Sequence, residues 1–365
     1  MRLKRSLALI LICVLTLGLV ACSGSNMRPP TMSPGPAPDV PPAPTPTETP
    51  ETQPETDTPN TTYPPELVGA RVRVGALRGP SGMGIAPLIE WSENEHHTIN
   101  TYHFTMMGAP EEVTAALISG ELDIATVPTN VASLLYNRLD GQLKVIGINT
   151  LGVLFILDST GEIHEIEDLR GKTINATGQG ATPQFALEYI LHTNGLEPGV
   201  DVEIVFNAEH AELASLMVAG NVSLGMLPQP FVTTVLNRSD DFQIAIDLTE
   251  AWEEANPGTQ FVQGVLVVRS EFLERYPDAV KIFLNDHAHS VAYANANPDS
   301  AAVLIELYDI LPAQIAVQAI PRSNLVHIDG PEIQPLIESV LTVLYDANPQ
   351  TVGGALPSED FFFFG

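Results

Sequence analysis

From Val68 onward, short apolar runs alternate with glycine-rich turns and with stretches of helical spacing. Residues 71–76 predict a strand, 77–84 a turn, and 85–91 the opening of a helix. Residues 99–105 alternate as a strand, and 110–119 carry Val113, Leu117 and Ile118 near one helical face. A strand over 122–127, a helix from Pro128 to Asn137 and a strand over 143–148 follow. One hundred residues further on, the series begins again. It runs as strand 173–176, turn 177–183, helix 184–191, strand 202–206, helix 211–218, strand 222–227, helix from Pro228 to Asn237 and strand 242–246. The copies align without a gap: SGELDIATVP at 119–128 matches AGNVSLGMLP at 219–228, Asn137-Arg138 matches Asn237-Arg238, and Glu112 matches Glu212.

Alternating strands and helices imply mostly parallel sheets covered by helices. A repeat this long makes two lobes rather than a solenoid, whose units are shorter. Residues 152–157 and 264–268 lie outside both copies and read as a pair of crossing strands, the natural place for a hinge. Beyond Ser270 the chain reads as helical over 271–276, 279–296, 298–308, 312–319 and 332–345, a tail expected to pack back on the first lobe. The expected division is 67–155 plus 259–365 for lobe 1 and 156–258 for lobe 2.

The amino-terminal segment is different in kind. Arg2, Lys4 and Arg5 precede an apolar run over 6–20 that is too short for a comfortable membrane span and reads as the core of a signal peptide over 1–21. The run ends Leu19-Val20-Ala21-Cys22 and is followed by Ser23-Gly24-Ser25. This resembles the lipobox of bacterial lipoproteins, although a residue smaller than Val20 is commoner at its position. The resemblance implies cleavage before Cys22 and a diacylglycerol on its sulfur; an ordinary signal peptide cut after Ala21 is the alternative. Residues 23–66 hold 14 of the 31 prolines, interleaved with Thr, Glu, Ser and Ala. Such a stretch cannot bury enough apolar surface to offset its ordering entropy, so 22–66 is expected to be an extended tether.

Charge and cysteine content narrow the chemistry. The chain carries 16 Lys+Arg against 44 Asp+Glu, a formal charge of -28. Loss of the leader would leave 13 bases and a charge of -31. This disfavours a nucleic-acid partner, because phosphate backbones need clustered cations. The two cysteines, Cys13 and Cys22, both lie in the leader region. A disulfide scaffold, a thiolate metal site and a cysteine nucleophile are thereby excluded from the folded part. Glu95-His96-His97 with His103 lacks metal-ligand spacing and reads as surface histidines, and no metal or cofactor is expected. Asp286, His287 and His289 read as a solvated helix face, and Gly-x-Ser-x-Gly is absent, so a hydrolase elbow has no support.

With these features together, the chain resembles the solute-binding lipoproteins of ABC importers. More narrowly, it is similar to the type II group that includes sulfonate-, taurine-, nitrate- and thiamine-precursor-binding proteins. The residues carrying this are Val74-Gly-Ala76 with its turn, SGELDIA at 119–125, IEDLRGKTI at 166–174, LEYIL at 187–191 with Gly195-Leu196, and EFLERYP at 271–277. The similarity covers about residues 70–350; the order of these motifs carries it more than any one of them. It implies an α/β, two-lobe type II periplasmic-binding-protein-like fold with crossing strands and a helical tail. It further implies a monomer that closes on a small solute and delivers it to an ABC permease from a lipid-anchored, extracytoplasmic position. Two other readings remain open: an enzyme of the pyrimidine-precursor or menaquinone type on the same fold, and a ligand sensor without transport.

In open α/β sheets, ligands bind beyond the carboxyl ends of the strands. The turn holding Arg78, Ser81, Gly82 and Met83 crowns lobe 1, and the turn holding Thr177, Gly178, Gln179, Gly180 and Thr182 crowns lobe 2. Glycines, small hydroxyls and helix N-termini there favour an anionic or polar ligand group, though any single glycine can serve the turn alone. Pro128-Thr129-Asn130 and Pro228-Gln229-Pro230 form a second symmetric pair, in which Thr129, Asn130 and Gln229 are candidate hydrogen-bonding groups. Gln263 with Gly264, and Asn149 with Thr150, are weaker candidates at the crossover, and Trp252 is a core aromatic that could also stack on a ligand. Among the 13 mature bases, Arg78 alone falls in a predicted cleft turn. A multiply charged anion would want more cations, so a neutral or singly charged organic molecule fits better.

Overall fold

The computed structural model describes residues 67–93 and 98–365. The signal peptide, Cys22, the tether and the Glu95-His96-His97 motif lie outside the described residues.

The first copy of the repeat folds as β1 (Arg71–Leu77), α1 (Pro80–Glu93), β2 (Thr101–Met107), α2 (Pro110–Ser119), β3 (Ile124–Pro128), α3 (Thr129–Arg138) and β4 (Leu143–Leu151). After the crossing strand β5 (Leu154–Asp158), the second copy folds as β6 (Thr173–Ala176), α4 (Thr182–Thr193), β7 (Glu203–Phe206), α5 (His210–Val218), β8 (Leu224–Pro228), α6 (Phe231–Arg238) and β9 (Gln243–Asp247). Helix α7 (Leu248–Ala255) and the return strand β10 (Val262–Arg269) follow. The tail is α8 (Ser270–Arg275), α9 (Pro277–Ala296), α10 (Pro298–Leu307), α11 (Ala313–Ala319), β11 (Leu325–Ile328) and α12 (Ile333–Ala347).

The sequence repeat is a structural repeat in register. The sheets run β11-β4-β10-β3-β1-β2 and β7-β6-β8-β5-β9. Arg73 pairs with His103 and Thr173 with Glu203; Gly75 pairs with Ala125 and Asn175 with Gly225, each pair shifted by one hundred. Gly120 after α2 and Gly220 after α5 both sit in the left-handed region, at φ 75° and 73°, where a side chain would be strained.

The repeat strands that touch pair in parallel; the antiparallel pairings are those of the crossing strands and of the edge strand β11 on β4. Strand β10 lies antiparallel between β3 and β4, and β5 lies antiparallel between β8 and β9. The reason is topological. The chain leaves β4 at its carboxyl end and enters the other sheet at the same end, with Leu154 opposite Pro228, so it must run against its neighbours. The return repeats this, with Gly264 opposite Pro128.

The apolar core is continuous across both sheets, with Leu135 and Val145 in one cluster with Leu187, Met226 and Trp252. Trp252 is fully buried, with Phe261 stacked at 4.9 Å and Tyr189 at 5.2 Å between ring centroids, so its ring is core. Helix α12 buries Ile333, Ile337, Val340, Leu341 and Leu344, a single helical stripe worth about 1.5–3 kcal/mol per side chain. It packs on α3 of the first sheet and also on α4 of the second, and α11 meets α6. The tail therefore spans both lobes rather than covering one. No helix among the described residues is long and apolar enough to cross a membrane.

One expected solvated face is instead interior. Asp286 and His287 on α9 are buried, at 2% and 1% exposure. The Tyr102 hydroxyl on β2 donates to Asp286 Oδ2 at 2.5 Å, and His287 Nδ1 lies 2.8 Å from His327 Nδ1 on β11. Partners from two distant strands make burial of these polar groups tolerable. The terminal phenylalanines also tuck in. Phe361 and Phe362 are buried, Phe361 meets the Tyr136 ring edge-on at 5.0 Å, and the Phe363 N–H donates to Val145 O at 2.9 Å.

Candidate ligand-binding site

The carboxyl ends of β1, β3 and β4 and the start of β10 meet at one edge of the first sheet; those of β6, β8 and β9 and the start of β5 meet at one edge of the second. Chain continuity through Leu151–Leu154 puts the two edges beside one another. The sequence candidates all fall on these edges or on the helices that begin there, but they do different things.

Asn130 and Thr182 join the two lobes directly. Asn130 is the second residue of α3 and Thr182 the first of α4, and both are fully buried. The Thr182 N–H and hydroxyl each donate to Asn130 Oδ1 at 3.0 Å. The Asn130 amide nitrogen donates to Gly180 O at 3.4 Å and Thr351 O at 3.2 Å. Gly178 and Gly180 take φ of 79° and 76° to bring that turn around, while Gln179 is exposed beside them.

Gln229 and Gln263 converge on Val153 in the crossover. The Gln229 N–H donates to Val153 O at 2.9 Å, and the Val153 N–H donates to Gln263 Oε1 at 3.2 Å. Gln229 Oε1 accepts from the Thr233 hydroxyl at 2.8 Å, leaving the buried Nε2 with no partner among the described residues. Thr129 donates to Val262 O at 2.8 Å and so pins α3 to the return strand.

In the first sheet, Ser81 accepts from Asn149 Nδ2 at 2.8 Å. Asn149 Oδ1 and Thr150 Oγ1, both buried, lack partners among the described residues. They crowd Gly264: a Cβ built there would stand 2.8 Å from Asn149 Oδ1 and 3.4 Å from Thr150 Oγ1. Gly82 serves packing, since a Cβ would meet Met106 at 2.6 Å and Leu77 O at 2.9 Å, and Met83 is core under α9 and α10. The Arg78 guanidinium is engaged by Asp309, donating to its backbone O at 3.0 Å and to its carboxylate at 3.3 Å.

Three polar groups at these edges were not anticipated from sequence. His210, the first residue of α5, has Nδ1 2.6 Å from Thr177 Oγ1. Burial lowers its pKa to about 4, so it is neutral at pH 7. Asn207 Oδ1 at the end of β7 and Thr249 Oγ1 after β9 are buried without partners among the described residues. The constellation is thus made of amides, hydroxyls and a neutral imidazole, with its one nearby guanidinium held by a carboxylate. A separate groove of about 830 Å³ runs between α2 and α3; of the predicted site residues only Gly180 reaches it, and we assign it no part in the polar constellation.

Comparison with known proteins follows this geometry. Solved structures superpose across most of the chain. A Parabacteroides distasonis ABC transporter protein matches with TM-score 0.66 and 24% identity, over 80% of this chain and 98% of that one. The fold is that of the type II periplasmic binding proteins. The aliphatic sulphonate binding protein SsuA of Escherichia coli gives TM-score 0.64 at 16% identity, over 78% and 90% of the two chains. The nitrate-binding protein NrtA of Synechocystis gives 0.56 at 13%, over 78% and 84%. Residues 156–308 match the NMT1-like family. YtlA of Bacillus subtilis, a candidate binding protein by its name, is 26% identical over 132 residues, 34% of this chain; the match spans 38% of that protein's length. Of these, SsuA and NrtA are named as periplasmic binding proteins.

Proposed function

We propose that this chain is the solute-binding component of an ABC importer, which captures a small, uncharged polar organic molecule between its two lobes and delivers it to a membrane permease. The observation that carries the reading is the chemistry at the facing strand ends. Asn149 Oδ1, Thr150 Oγ1 and Gln229 Nε2 are buried hydrogen-bonding atoms without partners among the described residues, and the nearest guanidinium, Arg78, is engaged by Asp309. Buried polar groups left unpaired are costly, and a solute bearing complementary donors and acceptors would relieve that cost. An anion would find no uncommitted cation there. Closure of the lobes on the solute would shift an open–closed equilibrium without bonds being made or broken. The leader and Cys22 support lipid anchoring on the extracytoplasmic face.

The test is native mass spectrometry of the purified full-length protein, followed by a thermal-shift screen with pyrimidines, flavin precursors, taurine, sulfonates and nitrate. A saturating solute at about 100 times its Kd adds roughly 2.7 kcal/mol of stability. An uncharged hit recovered unchanged supports the reading. Stabilisation by nitrate or a sulfonate instead overturns the uncharged assignment, and conversion of the hit to a product overturns the transport role.

A further inference from the structure

At the pole of the first sheet away from the strand carboxyl ends, four arginines surround one small cavity of about 200 Å³. Arg71 and Arg73 come from the amino end of β1, Arg269 from the carboxyl end of the antiparallel β10, and Arg275 from α8. In a chain with 44 acids and 16 bases, this concentration of positive charge runs against the overall balance.

Two of the four are spoken for. Arg73 is clamped on the buried Asp123: Nε donates to Asp123 Oδ2 at 2.9 Å, Nη2 donates to Oδ1, and Nη1 donates to Gly120 O at 2.6 Å. Arg269 Nη2 donates to Glu271 Oε2 at 2.7 Å. The backbone locks this frame, since the Asp123 N–H donates to Arg73 O and the Arg269 N–H donates to Asp123 O. Arg71 and Arg275 have no hydrogen-bond acceptor among the described residues, and Arg275 lies over the Tyr276 ring at 5.2 Å. The lining therefore holds four guanidiniums against two carboxylates.

We propose that this pocket binds a phosphoryl group, supplied as free phosphate or as the exposed phosphate of a larger molecule such as a lipid headgroup. The two uncommitted guanidiniums present planar donor forks that suit a tetrahedral oxyanion, and their positive charge suits an anionic phosphate, whether monoester, diester or free ion. The Asp123 and Glu271 contacts hold the frame against mutual repulsion before the ligand arrives. The cavity admits a phosphoryl group while the remainder of a larger carrier stays outside. The site is independent of the solute cleft, because it lies at the opposite ends of the same strands.

Isothermal titration of the full-length protein at low ionic strength, where exposed charges are least screened, provides the test. Inorganic phosphate and glycerophosphoglycerol, a soluble phosphodiester headgroup, are the two probes. Saturable binding of at least one is expected, weakened about tenfold or more by the double substitution Arg71→Gln/Arg275→Gln and unchanged by Arg322→Gln, an exposed arginine elsewhere. Tighter binding of inorganic phosphate assigns the free ion, and tighter binding of the diester assigns the headgroup. Absence of saturable binding with both probes, or equal binding by the double variant, overturns the proposal. Circular dichroism of the double variant confirms that any loss is not unfolding, since both replaced side chains are on the surface.

Discussion

Asn130 and Thr182 stand 52 residues apart, each at the first turn of a helix from a different lobe, and one amide oxygen accepts both the N–H and the hydroxyl of the threonine at 3.0 Å. A contact of this kind couples the lobes in proportion to its burial, because its loss leaves polar groups without water. Asn130→Ala is expected to cost about 1–3 kcal/mol in urea unfolding, and Thr182→Val a similar amount. The double variant should cost clearly less than the sum of the two, since both singles break the same bonds. Strict additivity would mean that the pair does not act as a unit.

A second prediction concerns the crowded point on the return strand. Gly264→Ala places a methyl 2.8 Å from Asn149 Oδ1, which must move. Affinity for the solute found by screening should fall at least tenfold, with cooperative unfolding retained. Gln229→Ala, which removes the buried amide nitrogen, should act in the same direction. Unaltered titration curves for both variants would remove the strand ends from the site.

Acid sensitivity should be visible in the same assay. Burial lowers the pKa of His287 well below 6.5, aided by His327; burial likewise lowers His327, against an opposing pull from Asp329. His210 is lowered to about 4. The unfolded imidazoles take up protons as the pH drops through about 6.5, while the folded ones do not. The stability these groups contribute is therefore complete above pH 6.5 and is lost on acidification, by about 1.4 kcal/mol per group per pH unit until the folded group titrates. Urea midpoints measured from pH 7.5 to 5 should be flat and then fall. His327→Gln should make the fall shallower, and a profile identical to that of the unaltered protein would contradict this.

The carboxyl-terminal phenylalanines are expected to be structural. Phe361 is fully buried against Tyr136, so Phe361→Ala should cost about 3–5 kcal/mol. Phe364→Ala, at an exposed position, should change stability by no more than about 0.5 kcal/mol. Thermal unfolding of the two variants separates them.

Much of the architecture was legible because the chain states it twice. The offset of one hundred carried the succession of strands and helices along the chain, and the structure repeats the pairing of Gly75 with Ala125 as that of Asn175 with Gly225. The crossing strands were visible as apolar runs outside the copies. Helix α7 and strand β11 were not, since neither belongs to the repeat and β11 is a four-residue edge strand. The interior of α9 was misread because Asp286 and His287 look solvated until Tyr102 and His327 arrive from far along the chain. At the candidate site, sequence indicated the turns but not their division of labour. That Asn130 would be occupied by Thr182, Arg78 by Asp309 and Thr177 by His210 depends on long-range partners that no local pattern encodes.

The placement of β10 between β3 and β4 also sets an order of assembly. The second sheet is built from residues 154–247, a continuous stretch, and has all its strands once that stretch is available. The first sheet cannot close at that stage, because β3 and β4 have no direct pairing and wait for Val262–Arg269 to fill the gap. A chain emerging from its amino terminus thus carries two open strand edges through more than a hundred residues of synthesis. The earlier-made sheet is therefore the later to be completed, and the return strand is the latch that closes it.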